Sequence, residues 1–339
     1  MEVSVVIPTC NRRKNLFALL NDIQGSSYPI KEIIIVDSSD QKLKADDLSS
    51  FTTFPIRYID SEKSVCAQRN KGIAAATTPW VFVCDDDIEV PVDYLVKIGA
   101  HIDQHPDAVA VSGLVLQLEK NNWVATYPIR STRQLLWNYI FQLSIWGPIS
   151  CPNNFLTRGI KKYYQQKGNH ISKSGWPAIT NFNGDYFTTP VYGLGASVIK
   201  SEWLRKFPYP EMLDSHGIGD NYGLAINFPP EAIHVLNNAC VFHHQDSQNR
   251  LERSAQYFRR VMALDFFMKT NENLKHTKKR FLIWSLLGNL FSFILKGDVA
   301  MVKVTFKTVV QIIDNKNPYF RPTSNKANTF NPQFENQLP

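Results

Sequence analysis

Three short runs limit what this chain can fold into: EIIIVD at residues 32–37, PIRYID at 55–60 and WVFVCDDD at 80–87, each a strand-like stretch ending on carboxylate. The first and last carry no alternation of polar and apolar residues, so they cannot be strands with one wet face. They fit a sheet covered on both sides. VSVVI at 3–7 has the same character and stops at Pro8, after which Leu16, Leu19, Leu20 and Ile23 recur at helical spacing up to Gly25. SVCAQRNKGIAAAT, at 64–77, reads as a second helix leading into WVFVC. Strands alternating with helices predict an α/β fold with a mostly parallel, Rossmann-like sheet flanked by helices, whose ligands bind at the carboxyl ends of the strands. Asp37, Asp60 and Asp85 then gather along one edge.

Further along, a helix is predicted over 92–104 and a strand over 108–115. Residues 119–184 lose periodicity and become aromatic and rich in Asn, Gly and Pro, the pattern of a substrate-facing insertion. Order returns with YGLGASVIK at 192–200, then the loop LDSHGIGDNYGLAINF at 213–228 and a short strand, ACVFHH, at 239–244. From 250 the chain reads as a C-terminal helical extension, and beyond 322 as a loose tail.

With 339 residues, 44% of them hydrophobic, the chain can bury a substantial core, which excludes a disordered protein. The excess of 37 Lys and Arg over 30 Asp and Glu calls for an anionic partner. No nucleic-acid motif accompanies it. Cys10, Cys66, Cys84, Cys151 and Cys240 are scattered and lack CxxC spacing, so neither a disulfide framework nor a zinc knuckle is indicated. The start MEVSVVIPTCNRR lacks the basic and apolar regions of a signal peptide, and a cytoplasmic location is expected.

Three adjacent aspartates repel one another unless a cation sits among them. A hard divalent ion such as Mg²⁺ or Mn²⁺ fits, taking one or two carboxylates and leaving its other positions to water and phosphate oxygens. Strand alternation would turn Asp85 and Asp87 one way and Asp86 the other. A calcium EF-hand loop is excluded by register, because from Asp85 the required Gly falls on Val90 and the closing Glu on Val96. GxxxxGK[ST] is absent, and GIGDNYG places Tyr222 where a dinucleotide fingerprint needs glycine. A bound diphosphate would therefore rely on metal and basic side chains. Arg12, Arg13, Lys14, Arg69 and Lys71 lie near the right loops, with Arg69 favoured for ligand contact.

VSVVIPTCNRRKNL, EIIIVDSSD, AQRNKGI and VFVCDDDIEVP together resemble, in order and spacing, the nucleotide-sugar-binding half of family 2 glycosyltransferases, inverting enzymes of GT-A fold. The resemblance runs strongly over residues 3–118 and more loosely over 192–244. It implies a donor-binding half at 1–118, an acceptor-binding and catalytic half at 119–249, a helical and membrane-associating extension at 250–322 and the tail 323–339. It further implies that Pro8, Thr9, Asp37, Arg69, Asp85 and Asp86 attend the nucleotide and that Asp87 binds metal, either Mn²⁺ or Mg²⁺. Cys10 stands where the family often has an aromatic residue beside the base, and Ser38 where a second aspartate is frequent, so the nucleobase stays open.

Inverting transfer needs a carboxylate to take the acceptor hydroxyl's proton. The family often supplies it from a Glu-Asp pair heading a helix. Asp220 matches that position, Gly219 replaces the glutamate, and Asp214 is the reserve; as an alternative, Asp220 caps the following helix. In CVFHHQDS, His243 is the expected further metal ligand, with His244 in reserve. The apolar stretch 281–295 between Lys278, Lys279, Arg280 and Lys296 is too short to span a bilayer of about 20 residues and is expected to lie along an anionic membrane surface. RQLLWNYIFQLSIWGP at 133–148 is similarly aromatic.

The expectation is a metal-dependent glycosyltransferase that moves a sugar from a nucleoside diphosphate donor to a glycan or polyprenyl-linked glycan of a surface polysaccharide, peripherally on the cytoplasmic face of the inner membrane. A metal-dependent phosphohydrolase of nucleotide sugars and a non-catalytic glycan-binding protein of the same fold are the alternatives.

Overall fold

A computed structural model describes residues 1–213, 215–245 and 251–320. The chain divides into two compact units. The first comprises Met1–Thr126, Phe182–Glu211 and Ser215–Asn249; the second, Tyr127–Asn181, Met212–Asp214 and Arg250–Pro339.

With elements numbered along the chain, the first unit is built on strands β1 (Val3–Thr9), β2 (Glu32–Asp37), β3 (Ile56–Asp60), β4 (Trp80–Cys84), β5 (Ile88–Glu89), β6 (Ala110–Glu119), β7 (Asn122–Val124), β11 (Tyr186–Thr189), β12 (Ala196–Lys200) and β13 (Ile233–His243). They form one sheet in the order β11-β13-β6-β12-β4-β1-β2-β3, with β5 paired to β13 and β7 to β6. β1 runs parallel to β2 and β4, β2 to β3, and β13 to β6, while β12 runs antiparallel between β4 and β6. The carboxyl ends of β1, β2, β4, β6 and β13 therefore share one edge.

Every residue of β1, β2 and β4 is buried. Each Val or Ile side chain so covered is worth about 1.5–3 kcal/mol, which sets this strand order firmly. Helices α1 (Arg13–Gln24), α2 (Val65–Ala75), α3 (Tyr94–Gln104), α6 (Ser201–Lys206) and α7 (Asp220–Ala225) complete the unit. α1 turns Leu16, Leu19, Leu20 and Ile23 inward, as their spacing predicted.

Three expectations shift. The helix predicted from 92 begins at Tyr94, because Val92 and Asp93 lie in the turn that follows Pro91. The strand predicted over 108–115 begins at Ala110 and continues to Glu119, past its buried half onto residues whose polarity hid it. The short strand at ACVFHH is the end of the much longer β13, in which the register shifts between Leu236 and Cys240. Asn237 sits at that shift and donates to the carbonyls of Phe182 and Gly184, both at 2.8 Å.

The second unit contains α4 (Thr132–Phe141), α5 (Phe155–Lys167), α8 (Arg253–Thr270), α9 (Lys279–Leu295) and α10 (Val299–Ile313), with β8 (Ile145–Trp146), β9 (His170–Ile171) and β10 (Pro177–Ile179) in a small sheet ordered β8-β10-β9. The irregular sequence of 119–184 thus conceals two capped helices. Ser131 accepts from the Gln134 amide and Asn154 from that of Thr157. Ile129, Leu135, Ile145, Ile160 and Tyr164 form their core. α9 buries Leu282, Leu286 and Phe293 but leaves Trp284, Phe291, Ile294 and Leu295 exposed. Among the described residues no helix is long and apolar enough to cross a membrane. The tail 323–339 lies outside them.

Candidate functional site

The carboxyl ends of β1 and β2 open onto a cavity of about 690 Å³ lined by Thr9, Asn11, Arg13, Asp37, Lys42 and Lys44 among others. Thr9 and Asp37 lie opposite one another in the parallel register, and Asp60 continues the row on β3. Asp37 is 1% exposed, and its oxygens accept from the Ser39 amide at 2.7 Å and the Tyr58 hydroxyl at 2.5 Å. Burial and that bond to Asp37 push the Tyr58 hydroxyl's pKa upward. Gln68 on α2 donates to the carbonyls of Thr9 at 2.7 Å and Val36 at 2.8 Å, pinning both strand ends. Pro8 is buried within β1, one residue before the cavity wall. Arg13, one of the basic residues expected near the strand-end loops, lines this cavity; Lys42 and Lys44 lie in a loop with no periodic signal, and only the fold brings them there.

The three aspartates follow the last residue of β4 and lie in a turn, so strand alternation does not govern them. Asp85 pairs with Arg69 at 2.5 Å. Asp86 and Asp87 instead share Arg12, at 3.0 and 3.4 Å. This corrects the expected grouping of Asp85 with Asp87. Asp86 also accepts from the Thr9 hydroxyl at 2.8 Å. Burial pushes its pKa up to about 6, against the lowering effects of Arg12 and Thr9. It is a supporting carboxylate, locking β1 to β4.

Asp87 is reached by His243, whose Nε2 lies 3.1 Å from Oδ1. The pairing of β5 with β13, with His243 opposite Ile88, sets that approach. His244 turns to Glu89 at 3.0 Å instead, while its backbone amide donates to the Asp87 carbonyl at 3.0 Å. One carboxylate and one imidazole in contact are donors of the kind Mn²⁺ or Mg²⁺ accepts, so Asp87 and His243 are the residues that would hold such an ion, while Asp85 is turned to Arg69.

Asp220, far away in sequence, comes to the same place. One guanidinium nitrogen of Arg69 meets Asp220 and the other Asp85. The Arg69 side chain is 4% exposed and lies 4.9 Å from the centre of the Tyr209 ring. Burial opposes its charge, yet the two carboxylates overcome this and hold its pKa above the ordinary arginine value. Burial raises the Asp220 pKa, with Arg69 working against it. Arg69 therefore organises two carboxylates, Asp85 and Asp220.

Two glycines permit this arrangement. A Cβ on Gly195 would lie 2.0 Å from Asp85 Oδ2, and the Gly195 carbonyl accepts the Asp85 amide at 2.8 Å. Gly219, ahead of α7, has φ of 104°, a left-handed conformation that glutamate would adopt only with strain. That explains the missing glutamate. Asp220 is the first residue of α7 and makes no capping bond beyond its own neighbour: Oδ1 accepts from the Asn221 amide at 2.6 Å. Asp214 lies outside the described residues.

Sheet order, helical flanks and C-terminal helices define the class: a GT-A-type α/β fold. Residues 4–167, a little under half of the chain, match the family model described as "Glycosyl transferase family 2". The chain is similar to the glucosyl-dolichyl phosphate glucuronosyltransferase of Haloferax volcanii, 26% identical over 142 residues that make up 40% of this chain and 44% of that one. It is similar also to the dolichol-phosphate mannosyltransferase of Pyrococcus furiosus, 33% identical over 132 residues, 36% of each chain. It thus spans less than half the length of these relatives. Among solved structures it resembles TarS 1-349 of S. aureus, with a TM-score of 0.54 at 13% identity, covering 93% of this chain and 82% of that one. The mannosyltransferase PcManGT from Pyrobaculum calidifontis, solved with GDP-Man and Mn²⁺, gives 0.51 at 14%, covering 93% and 87%. At such identities the likeness is one of fold.

Proposed function

We propose that the chain is a divalent-metal-dependent, inverting glycosyltransferase using a nucleoside diphosphate sugar. The observation that carries this reading is the meeting of Asp85, Arg69 and Asp220 beside Asp87 and His243 at the same strand edge as the Asp37 cavity. Asp37 and the cavity around it receive the base and ribose, with Pro8 and Thr9 forming the adjoining strand end. When bound, the metal neutralises the diphosphate and favours its departure.

Asp220 is the base. It takes the acceptor hydroxyl's proton while that oxygen bonds to the anomeric carbon from the face opposite the diphosphate. The bond to the diphosphate oxygen breaks with its electron pair, so configuration inverts. Burial strengthens the carboxylate as a base, and Arg69 keeps it ionised until the proton arrives.

Two relatives are named for dolichyl phosphate chemistry, which supports a polyprenyl-linked glycan as acceptor, within surface polysaccharide synthesis. Exposed Trp284, Phe291, Ile294 and Leu295 on α9 support peripheral contact with an anionic membrane, and the helix lies between basic residues. On this reading residues 1–118 bind donor and 119–249 bind acceptor. The test is nucleoside diphosphate release from a panel of nucleotide sugars with Mn²⁺, with and without acceptor. Acceptor-dependent release that falls by at least about 10³-fold in Asp220→Asn, with donor affinity retained, is expected. Release indifferent to acceptor would indicate a hydrolase; none at all, a binding protein.

A further inference from the structure

We propose that His101, His105 and His234 form a zinc-binding site, distinct from the carboxylate site at the other end of β13. His101 lies in the last turn of α3, His105 caps that helix four residues later, and His234 is the second residue of β13. A spacing of four brings two helical side chains to one face. One donor nitrogen from each ring lies within 4.8 Å of the other two. His101 Nε2 and His234 Nδ1 are 2.9 Å apart.

His234 is set up as a ligand. Its ring bonds the backbone of Glu231, leaving Nδ1 to face the other two histidines. Orientation of one ring nitrogen by a backbone carbonyl is the usual support of a metal-bound imidazole. Tyr186 stacks on the ring with centroids 4.8 Å apart at 18°, fixing its plane. His234 is 4% exposed, whereas His101 and His105 are half-buried, so the cluster is anchored inside and reached from solvent.

Zinc–nitrogen bonds of about 2.0–2.1 Å in a tetrahedron place nitrogens about 3.4 Å apart. The closest pair, His101 and His234, must open by about half an ångström through a small rotation of the half-buried His101 ring, and any wider pair must draw in by up to about 1.4 Å, which rotation of the half-buried His105 ring can supply for the pairs that include it. Water would take the fourth position. Asp107 already acts electrostatically on both His101 and His234 and would offset the ion's charge. Three imidazoles with no carboxylate among them favour zinc over Mg²⁺ or Mn²⁺.

The test is zinc retention by the full chain. Protein equilibrated with Zn²⁺ in excess Mg²⁺, then gel-filtered, should retain one zinc per chain by elemental analysis. His105→Gln and His101→Gln should each weaken binding on the order of 100-fold in competition with a chromogenic chelator, with unchanged metal-free circular dichroism. Co²⁺ should give tetrahedral d–d bands in the wild type and lose them in both variants. Asp87→Ala should retain zinc as the wild type does. No zinc in the wild type, retention by the histidine variants, or loss in Asp87→Ala instead would overturn the proposal and leave the three rings a packing cluster.

Discussion

Arg69→Met tests whether one guanidinium holds the site together. Methionine fills similar volume, so the loss is mostly of charge. Removing one partner of a buried ion pair costs about 3–5 kcal/mol, because the other charge is left without compensation. Asp220, 11% exposed at its side chain, carries most of that penalty; Asp85, at 30%, is partly relieved by water. Loss of the guanidinium over Tyr209 adds about 0.5–2 kcal/mol. A total of about 4 kcal/mol follows. In a cooperative unit of roughly 190 residues, with an unfolding entropy of about 0.4 kcal/mol/K, that lowers the midpoint by about 10 °C. Thermal melts followed by circular dichroism measure it. Neutralising the stranded carboxylate should recover much of the loss, so Arg69→Met/Asp220→Asn should melt above the single variant at neutral pH. The deficit of Arg69→Met should shrink towards pH 4, where Asp220, its pKa raised further, takes up a proton in the folded state. A fall under about 2 °C, or a double variant no more stable than the single, would refute the reasoning.

Asp86 gives a second pH effect. Its folded pKa of about 6 exceeds the unfolded value, so its contribution to stability is present below about pH 4 and lost as pH rises towards 6. A shift of about two units corresponds to about 3 kcal/mol, and urea denaturation at pH 4 to 7 should show this slope in the wild type and a shallower one in Asp86→Asn. Gly195→Ala must displace Asp85 from Arg69, because the new Cβ would overlap its carboxylate. It should cost about 1–3 kcal/mol in stability and abolish metal-dependent donor binding by calorimetry; unaltered binding would count against Asp85 as a donor-site residue. Trp284, 42% exposed, should change its fluorescence on addition of anionic but not neutral vesicles, and Lys296→Glu should weaken the response.

The fold was legible where burial removes ambiguity. β1, β2 and β4 are covered on both faces, so their apolar runs carry strand type, direction and the position of the terminal aspartates at once. In the second unit the helices after 250 were legible, but the stretch 119–184 was not, for the opposite reason: α4 and α5 are short, capped by Ser131 and Asn154, and partly exposed, so neither presents a full apolar stripe. At the site, the motifs pointed to Asp37, Asp85 and Asp87 and to His243, Arg12 and Arg69, but not to which carboxylate each arginine holds. Asp86 could not be separated from its neighbours because the turn after β4 cancels strand alternation. Lys42, Lys44 and Tyr58 carry no local pattern, and their place depends on tertiary packing alone.

On the proposed assignment of Asp85 to the donor side and Asp220 as base, a deeper coupling joins the two. Asp85 and Asp220 share Arg69, and the negative charge of Asp85 is itself among the causes that raise the Asp220 pKa. Asp220's proton affinity is therefore not its own property. With Asp85 unscreened, its charge raises that affinity and Arg69 is divided between two carboxylates. With the charge of Asp85 neutralised on the donor side, the repulsion falls and Arg69 is left freer to hold Asp220 ionised. A carboxylate must be ionised to accept a proton, so the base is readiest when the donor side is filled. Glutamate at the position of Gly219 would add a second negative charge beside Asp220 and raise its pKa further. The left-handed turn there excludes it on backbone grounds, leaving control of the base to Arg69 and Asp85.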